Sequence, residues 1–179
     1  MKQVDISNVQ AAGESRRLPA GGYVCQITKV EDFADREYLR IEFDVADGDF
    51  KGYYKELNDS AGFWAGRYIR SYKPKALPFF KRLCSAVSKS NGNYVFDGGQ
   101  INSNEQTLVG KYVGLVLGEE EYIGNDGNIK TRLYVVGEHS TSDINNGKFR
   151  VPPLKQLPDE DIPLNKPEIK ETETSDLPF

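Results

Sequence analysis

The sequence predicts a mostly β domain with one well-defined helix and a polar C-terminal extension. Stretches of the first half alternate apolar with polar residues, as strands with one buried face do. Near residue 80 the period changes to that of an amphipathic helix, and two further strands flank a glycine-rich turn near residue 126. With 179 residues, the chain is long enough for one domain with a core of its own.

Three strands in close succession open this domain and predict an antiparallel meander. Residues 22–30 are rich in β-branched and aromatic side chains, and residues 38–45 place apolar side chains on one face and charged ones on the other. The turn sequence at 47–49 leads into a third predicted strand at 52–57.

Helical patterns follow the meander. Residues 61–72 predict a short helix after the capping residues 58–60, although two glycines disfavour it. Residues 79–87 predict the main helix, with Pro78 in its first turn. Its apolar face has the i, i+3, i+4, i+7 spacing of Phe80, Leu83, Cys84 and Val87.

The last two predicted strands, at 111–117 and 129–138, are joined by the turn at 124–128. Gly114, inside the first of them, indicates a bulge or a close backbone approach. Three strands, a helix and two strands are the order of the OB-fold, a five-stranded Greek-key barrel with its helix between strands three and four. The pattern alone leaves other small β-rich folds open.

Composition divides the chain into an N-terminal arm at 1–20, the domain at 21–150 and a tail at 151–179. The tail has repeated prolines, and from residue 154 it carries seven acidic residues against three lysines, so it is expected to be flexible and disordered. The chain's net charge of −4 therefore equals that of the tail. Residues 51–89, in contrast, hold nine basic residues against two acids.

Aromatic residues interleave with this basic stretch, a combination that suits single-stranded nucleic acid. Basic side chains neutralise phosphates, and rings stack with bases. In an OB-fold the ligand lies on strands two and three and the neighbouring loops. Burial of many rings in the core, and a merely solvated basic face, are the simpler alternatives. The candidate residues for binding single-stranded DNA are Tyr38, Arg40, Lys51, Tyr53, Tyr54, Lys55, Trp64, Arg67, Tyr68, Arg70 and Lys73, with only one of the adjacent Tyr53 and Tyr54 expected on the binding face.

The last four residues, Asp176, Leu177, Pro178 and Phe179, predict a binding motif for a protein partner. The Phe179 ring would fill a pocket, its terminal carboxylate would pair with a basic side chain, and Asp176 would face a basic rim. A frayed end that finishes in phenylalanine by chance is the alternative.

This terminus resembles that of bacterial single-stranded DNA-binding proteins, which close an acidic run with Asp-Ile/Leu-Pro-Phe; here one acid directly precedes Leu-Pro-Phe. The body is similar to phage and prophage single-stranded DNA-binding proteins of Gram-positive hosts. The similar segments are 18–23, 38–41, 62–64, 79–82, 110–112 and 132–134. The resemblance implies an OB-fold that coats single-stranded DNA in replication and recombination, and a tail that recruits replication, recombination and repair proteins.

Enzymatic activity is not expected, and no cofactor or metal is predicted. The one histidine, His139, has no ligand spacing around it, and Gly110-Lys111 does not fit a phosphate-binding loop. Asp44, Asp47 and Asp49 leave a metal-dependent nuclease as a minor alternative, and a β-barrel adaptor that binds only protein is the main one. No apolar run reaches a membrane span, and the two cysteines fit reduced thiols in the cytoplasm. The sequence leaves open whether the protein forms homo-oligomers and whether it prefers DNA or RNA as its ligand.

Overall fold

Five antiparallel strands and three helices make up the computed structural model, which describes residues 16–99 and 104–158. The strands are β1 (Gly21–Phe33), β2 (Tyr38–Val45), β3 (Arg67–Ser71), β4 (Tyr112–Ile123) and β5 (Ile129–His139). The helices are α1 (Tyr53–Ala61), α2 (Leu77–Ser90) and α3 (Thr141–Asn145). The predictions of a mostly β domain and one main helix are confirmed.

The strands form one sheet in the order β3-β2-β1-β4-β5, so β1 is its centre. The first half of β1 pairs with β4, beginning at Gly21 opposite Leu117. The pairing with β2 begins at Cys25 opposite Val45 and ends at Phe33 opposite Tyr38. A register shift between Ile27 and Lys29 lies within the pairing with β2, just past the end of the pairing with β4. Such an irregularity bends a strand and increases its twist, which lets one long strand serve two neighbours.

The core lies on one side of this sheet. Along β2 every second residue is buried, as its alternation predicted. The main helix α2 covers the core with its apolar face. The core's largest fully buried apolar side chains include Leu18, Ile27, Ile41, Phe43, Leu83, Leu108, Leu115 and Leu117.

The third strand predicted at 52–57 is wrong, because these residues begin helix α1. The carboxylate of Asp44 accepts hydrogen bonds from the backbone N–H groups of Tyr54 at 2.9 Å and Lys55 at 3.2 Å. These donors have no partner inside the first helical turn, so a carboxylate there stabilises the helix. Because this cap comes from the preceding strand, the local sequence gives no sign of it.

The helix predicted at 61–72 is also wrong, because the chain forms β3 there. Gly66 lies directly against β2, where its carbonyl accepts the Phe43 N–H at 2.8 Å. A Cβ atom at this glycine would lie only 2.4 Å from the Phe43 carbonyl oxygen. The glycine therefore allows the close approach that starts the pairing of β2 with β3.

The other predicted elements are found, and β1 and β4 continue beyond their predicted ends. The short helix α3 was not predicted. Gly114 lies where α3 approaches β4: a Cβ atom there would be 2.5 Å from Ile144 Cγ1 and 2.8 Å from the Ser140 carbonyl oxygen. The predicted close approach at this glycine is thus confirmed.

The first part of the predicted tail, residues 151–158, lies beside β4. Lys155 donates its backbone N–H to the Glu119 carbonyl at 3.0 Å and accepts the Glu121 N–H at 2.9 Å. The rest of the tail, with the candidate partner-binding residues 176–179, and residues 1–15 of the arm lie outside the described residues. Within the described ranges, no helix combines the length and apolarity needed to cross a bilayer.

Candidate nucleic-acid interface

Several predicted binding residues meet on the solvent-facing side of β1, β2 and β3. Because β2 buries every second side chain, Tyr38, Arg40 and Glu42 point away from the core. Antiparallel pairing sets one residue of β1 and one of β3 beside each of them. We call the resulting surface the outer face; its three rows are Phe33–Tyr38–Ser71, Glu31–Arg40–Ile69 and Lys29–Glu42–Arg67.

Two aromatic rings stack at one end of the outer face. The centroids of the Phe33 and Tyr38 rings are 4.8 Å apart, and their planes differ by 18°. The guanidinium carbon of Arg40 lies 4.9 Å from the centroid of Phe33. Nucleobases present flat π faces of similar size, so a base can extend a stack of this kind.

The charges of the outer face are partly paired with each other. Arg40 donates its Nε–H to Glu31 Oε2 at 2.8 Å and a second N–H to the same oxygen. Lys29 Nζ lies 3.1 Å from Glu31 Oε1. The hydrogen bonds from Arg40, and then that from Lys29, hold the pKa of the Glu31 carboxyl below its usual range. Arg67 is exposed and forms no ion pair with another described residue, so it is open to an anion.

Predicted lysines lie near both ends of the outer face. Lys73 donates its backbone N–H to Ser71 Oγ at 3.2 Å, which places it just past the end that holds the ring pair. Lys55 is fixed by its backbone to Asp44, past the other end of β2. Lys51 is exposed in the turn before α1. Among the described residues none of these lysines forms an ion pair, so their charges are available to a ligand.

Three predicted residues lie on the inner side of the sheet instead. Tyr54 is buried on α1, with its ring centroid 5.2 Å from that of Phe43. Tyr68 and Arg70 of β3 stand opposite the buried residues of β2 and therefore point inward. The assignment of all three to the binding face is corrected. Tyr54 was predicted on a strand and lies on a helix, whereas Tyr68 and Arg70 were predicted on a helix and lie on a strand, so the prediction missed which side each residue faces.

Arg70 is instead part of a buried ion-pair cluster centred on Glu138. The Glu138 side chain is fully buried; its Oε1 lies 2.7 Å from Arg70 Nη2. Its Oε2 accepts the Nε–H of Arg82, from α2, at 3.2 Å. The cluster thus joins β3, β5 and α2. Sequence reasoning missed Glu138, because nothing in its neighbourhood reveals two arginines that are distant in the chain.

Tyr53 and Trp64 are half-buried beside the core, off the outer face. Tyr53 packs edge-on against Phe50, with their ring centroids 6.2 Å apart. The Trp64 indole N–H donates to the Gly66 carbonyl at 2.9 Å, which fixes the side chain ahead of β3. Both contacts serve the packing of α1 and the loop that follows it.

The outer face also contains residues that sequence reasoning missed, notably Phe33 and Ile69. Phe33 belongs to a stretch that was predicted as a loop. Just before this stretch, the buried residues Ile27 and Val30 of β1 are three residues apart, not two as in a regular strand. The register shift at that point breaks the alternation by which a strand is recognised. Ile69 is 56% exposed, although an apolar side chain is usually expected in the core. It faces outward because Tyr68 and Arg70 occupy the inward positions of β3.

A cavity of about 950 Å³ lies elsewhere, between α2 and the loop end of β1 and β2. Leu39, Phe80 and Phe96 give it an apolar floor. Its charged lining residues are Asp32, Asp97 and Glu105 against Lys81. This excess of carboxylates disfavours phosphate, so the outer face is the better candidate for nucleic acid.

Two of the three carboxylates that suggested a nuclease, those of Asp44 and Asp47, have structural partners. Asp44 caps α1, and Asp47 Oδ1 accepts the N–H of Gly48 at 2.8 Å, the local bonding that turns favour. Across the described ranges, no group of three His, Cys, Asp or Glu side chains is arranged to hold a metal ion.

No protein-family model matches this sequence, and no curated protein is significantly similar to it.

Proposed function

We propose that the sheet is an OB-fold barrel that closes between β3 and β5. These strands are the two ends of the sheet order, and the Arg70–Glu138 ion pair spans the gap between them. In the chain, α2 comes between β3 and β4, and Arg82 binds α2 to the same carboxylate. A sheet whose ends meet in this way, with a helix packed on its core, supports the OB-fold prediction.

We further propose that the protein is a non-enzymatic, largely sequence-independent single-stranded DNA-binding protein. The observation that carries this proposal is the outer face, where a stacked ring pair lies on the same surface as Arg67, an exposed cation that forms no ion pair with another described residue. Rings accept any base, because every base has a π face, and phosphates are the same at every step. The chemistry of this face therefore favours binding without sequence preference.

The single-stranded DNA would run along β2, between the lysines that lie near the two ends of this β-strand. A base would stack on the ring pair, and phosphates would meet Arg67, Lys73, Lys55 and Lys51. The resemblance adds the setting: coating of single strands in replication and recombination, in the cytoplasm of a bacterial host. It also assigns Asp176–Phe179 to the recruitment of replication, recombination and repair proteins.

The first test is fluorescence polarization of a labelled oligothymidine titrated with the full chain at several salt concentrations. Binding should weaken with salt, with a log–log slope of about −0.7 for each phosphate neutralised. Tyr38→Ala should cost roughly 1–3 kcal/mol of binding free energy, the value of one stacked base. The matched control is Tyr112→Ala, which removes an exposed tyrosine of β4 that is not on the outer face. Absence of binding at low salt would exclude the proposal.

A protein-binding adaptor is the second candidate, and the exposure of Ile69 in the middle row of the outer face favours it. An apolar side chain beside Arg40 suits a peptide ligand as well as a base. The same titration separates the two functions, since an adaptor without a nucleic-acid ligand would leave the oligonucleotide free at every salt concentration.

A further inference from the structure

We propose that Arg40 is a positioning residue that holds the Phe33–Tyr38 ring pair for base stacking, and that it does not bind phosphate. This inference rests on the proposed function, and it changes the role that the sequence suggested for Arg40. The distinction matters because a phosphate ligand acts on every nucleotide alike, whereas a residue that holds rings acts only through bases.

Two of the five N–H donors of Arg40 are already engaged within the protein. Both its Nε–H and one terminal N–H are bonded to Glu31 Oε2, and the neighbouring Lys29 occupies the other carboxylate oxygen. Glu31 and Arg40 face each other directly across the β1–β2 pair, so the backbone fixes this contact. A phosphate that approached the remaining N–H donors would meet the negative charge of Glu31, a carboxylate that is built into the sheet. Arg67, on the same face, stands opposite Glu42 but forms no ion pair with it or with another described residue.

The flat surface of the guanidinium is used as well. It lies over Phe33, which in turn stacks on Tyr38. Phe33 thus contacts both the Arg40 cation and the Tyr38 ring. Tyr38 contacts only one ring within the described residues, that of Phe33. The available ring surface for a base is therefore that of Tyr38, with Phe33 behind it.

A chain of contacts thus runs from Glu31 through Arg40 and Phe33 to Tyr38. Each member restricts the side-chain rotation of the next before any ligand arrives. Side chains that are already ordered lose less entropy on binding, so the platform binds a base more tightly than two mobile rings would. A planar guanidinium can contact a ring and a carboxylate at once, which an ammonium group cannot reproduce.

The experiment compares two labelled probes of equal length, an oligothymidine and an abasic oligonucleotide, at several salt concentrations. Arg40→Gln should bind oligothymidine about fivefold more weakly than the wild type, with an unchanged salt slope. Its binding of the abasic probe should equal that of the wild type. Arg40→Lys should not restore the loss, although it restores the charge.

Arg67→Gln is the control for a phosphate contact on the same face. It should reduce the salt slope by about 0.7 and weaken binding of both probes. If Arg40→Gln behaves in this way instead, Arg40 is a phosphate ligand and the positioning role is excluded.

Phe33→Leu provides an independent variant, in case Arg40→Gln does not fold. It should reproduce the loss on oligothymidine and leave the abasic probe unaffected; equal losses on both probes would contradict the inference. Failure of the wild type to bind either probe is a different result, since it overturns the proposed function and the positioning role together.

Discussion

Tyr68 shows, at the scale of the residue, how burial changes the chemistry of a side chain. Its hydroxyl is buried and has no hydrogen-bond partner of normal geometry among the described residues. Burial, and then the negative charge of Glu138, raise the pKa of Tyr68 well above its usual value. The folded protein therefore holds this proton more tightly than the unfolded chain does.

A pH dependence follows from Tyr68. Its contribution to stability is complete below the pKa of the unfolded chain, about 10, and is lost as the pH rises above that value. Tyr68→Phe keeps the ring and removes the ionisable group. We therefore expect the free energy of unfolding of this variant to fall less steeply above about pH 10 than that of the wild type.

Urea unfolding at a series of alkaline pH values measures this difference. Tyr112→Phe, a substitution at an exposed position, should keep the wild-type dependence. Parallel curves for Tyr68→Phe and the wild type would show that the Tyr68 hydroxyl is not buried in solution.

At the scale of the element, helix α1 depends on a residue outside it. Gly52, just before the helix, provides no side-chain cap, and the Asp44 carboxylate takes this role from β2. The same carboxylate accepts the backbone N–H of Val45 at 2.8 Å, so its orientation is fixed. Helix and strand are thus coupled through one side chain.

Asp44→Ala should lower the free energy of unfolding by about 0.5–2 kcal/mol, because it leaves helix N–H groups without an acceptor and removes a negative charge near the helix N-terminus. Hydrogen exchange at the first amides of α1 should accelerate in the same variant. Asp47→Ala is the control, since Asp47 is exposed and bonds only to its own turn. An equal effect of both substitutions would argue against the capping role.

At the scale of the whole molecule, the Glu138 cluster connects the two ends of the sheet. Glu138→Gln preserves the size of the side chain but leaves Arg70, only 14% exposed, without a counter-ion. Breaking a buried pair in this way typically costs about 3–5 kcal/mol, because one charge stays buried and uncompensated. We expect a loss of this size in the free energy of unfolding, measured with urea.

Arg17→Gln gives the matched control, because it removes one partner of an exposed ion pair with Glu119. Such a pair contributes at most about 1 kcal/mol, so this variant should unfold almost as the wild type does. A similarly small effect of Glu138→Gln would show that the ion pair does not hold β3 to β5.

The sequence by itself determined the elements whose signals are local. The alternation of β2, the helical spacing in α2 and the glycine-rich turn between β4 and β5 each lie within a few neighbouring residues. Tyr38 and Arg40 could be assigned to the candidate site for the same reason, since the alternation of β2 places them on its polar face. Arg67 was assigned from its charge alone, because its segment was predicted as a helix and is a strand.

Only the tertiary structure decided the elements and the site residues that depend on distant partners. Asp44 caps α1 from another element, and Glu138 allows Arg70 to point inward on β3, which leaves Ile69 outside. β1 continues past its register shift to Phe33, and its pairing with β2 places Phe33 beside Tyr38, which brings the ring pair together. The free energy of each arrangement comes from contacts between residues far apart in the chain, and periodicity along the sequence carries no information about such contacts.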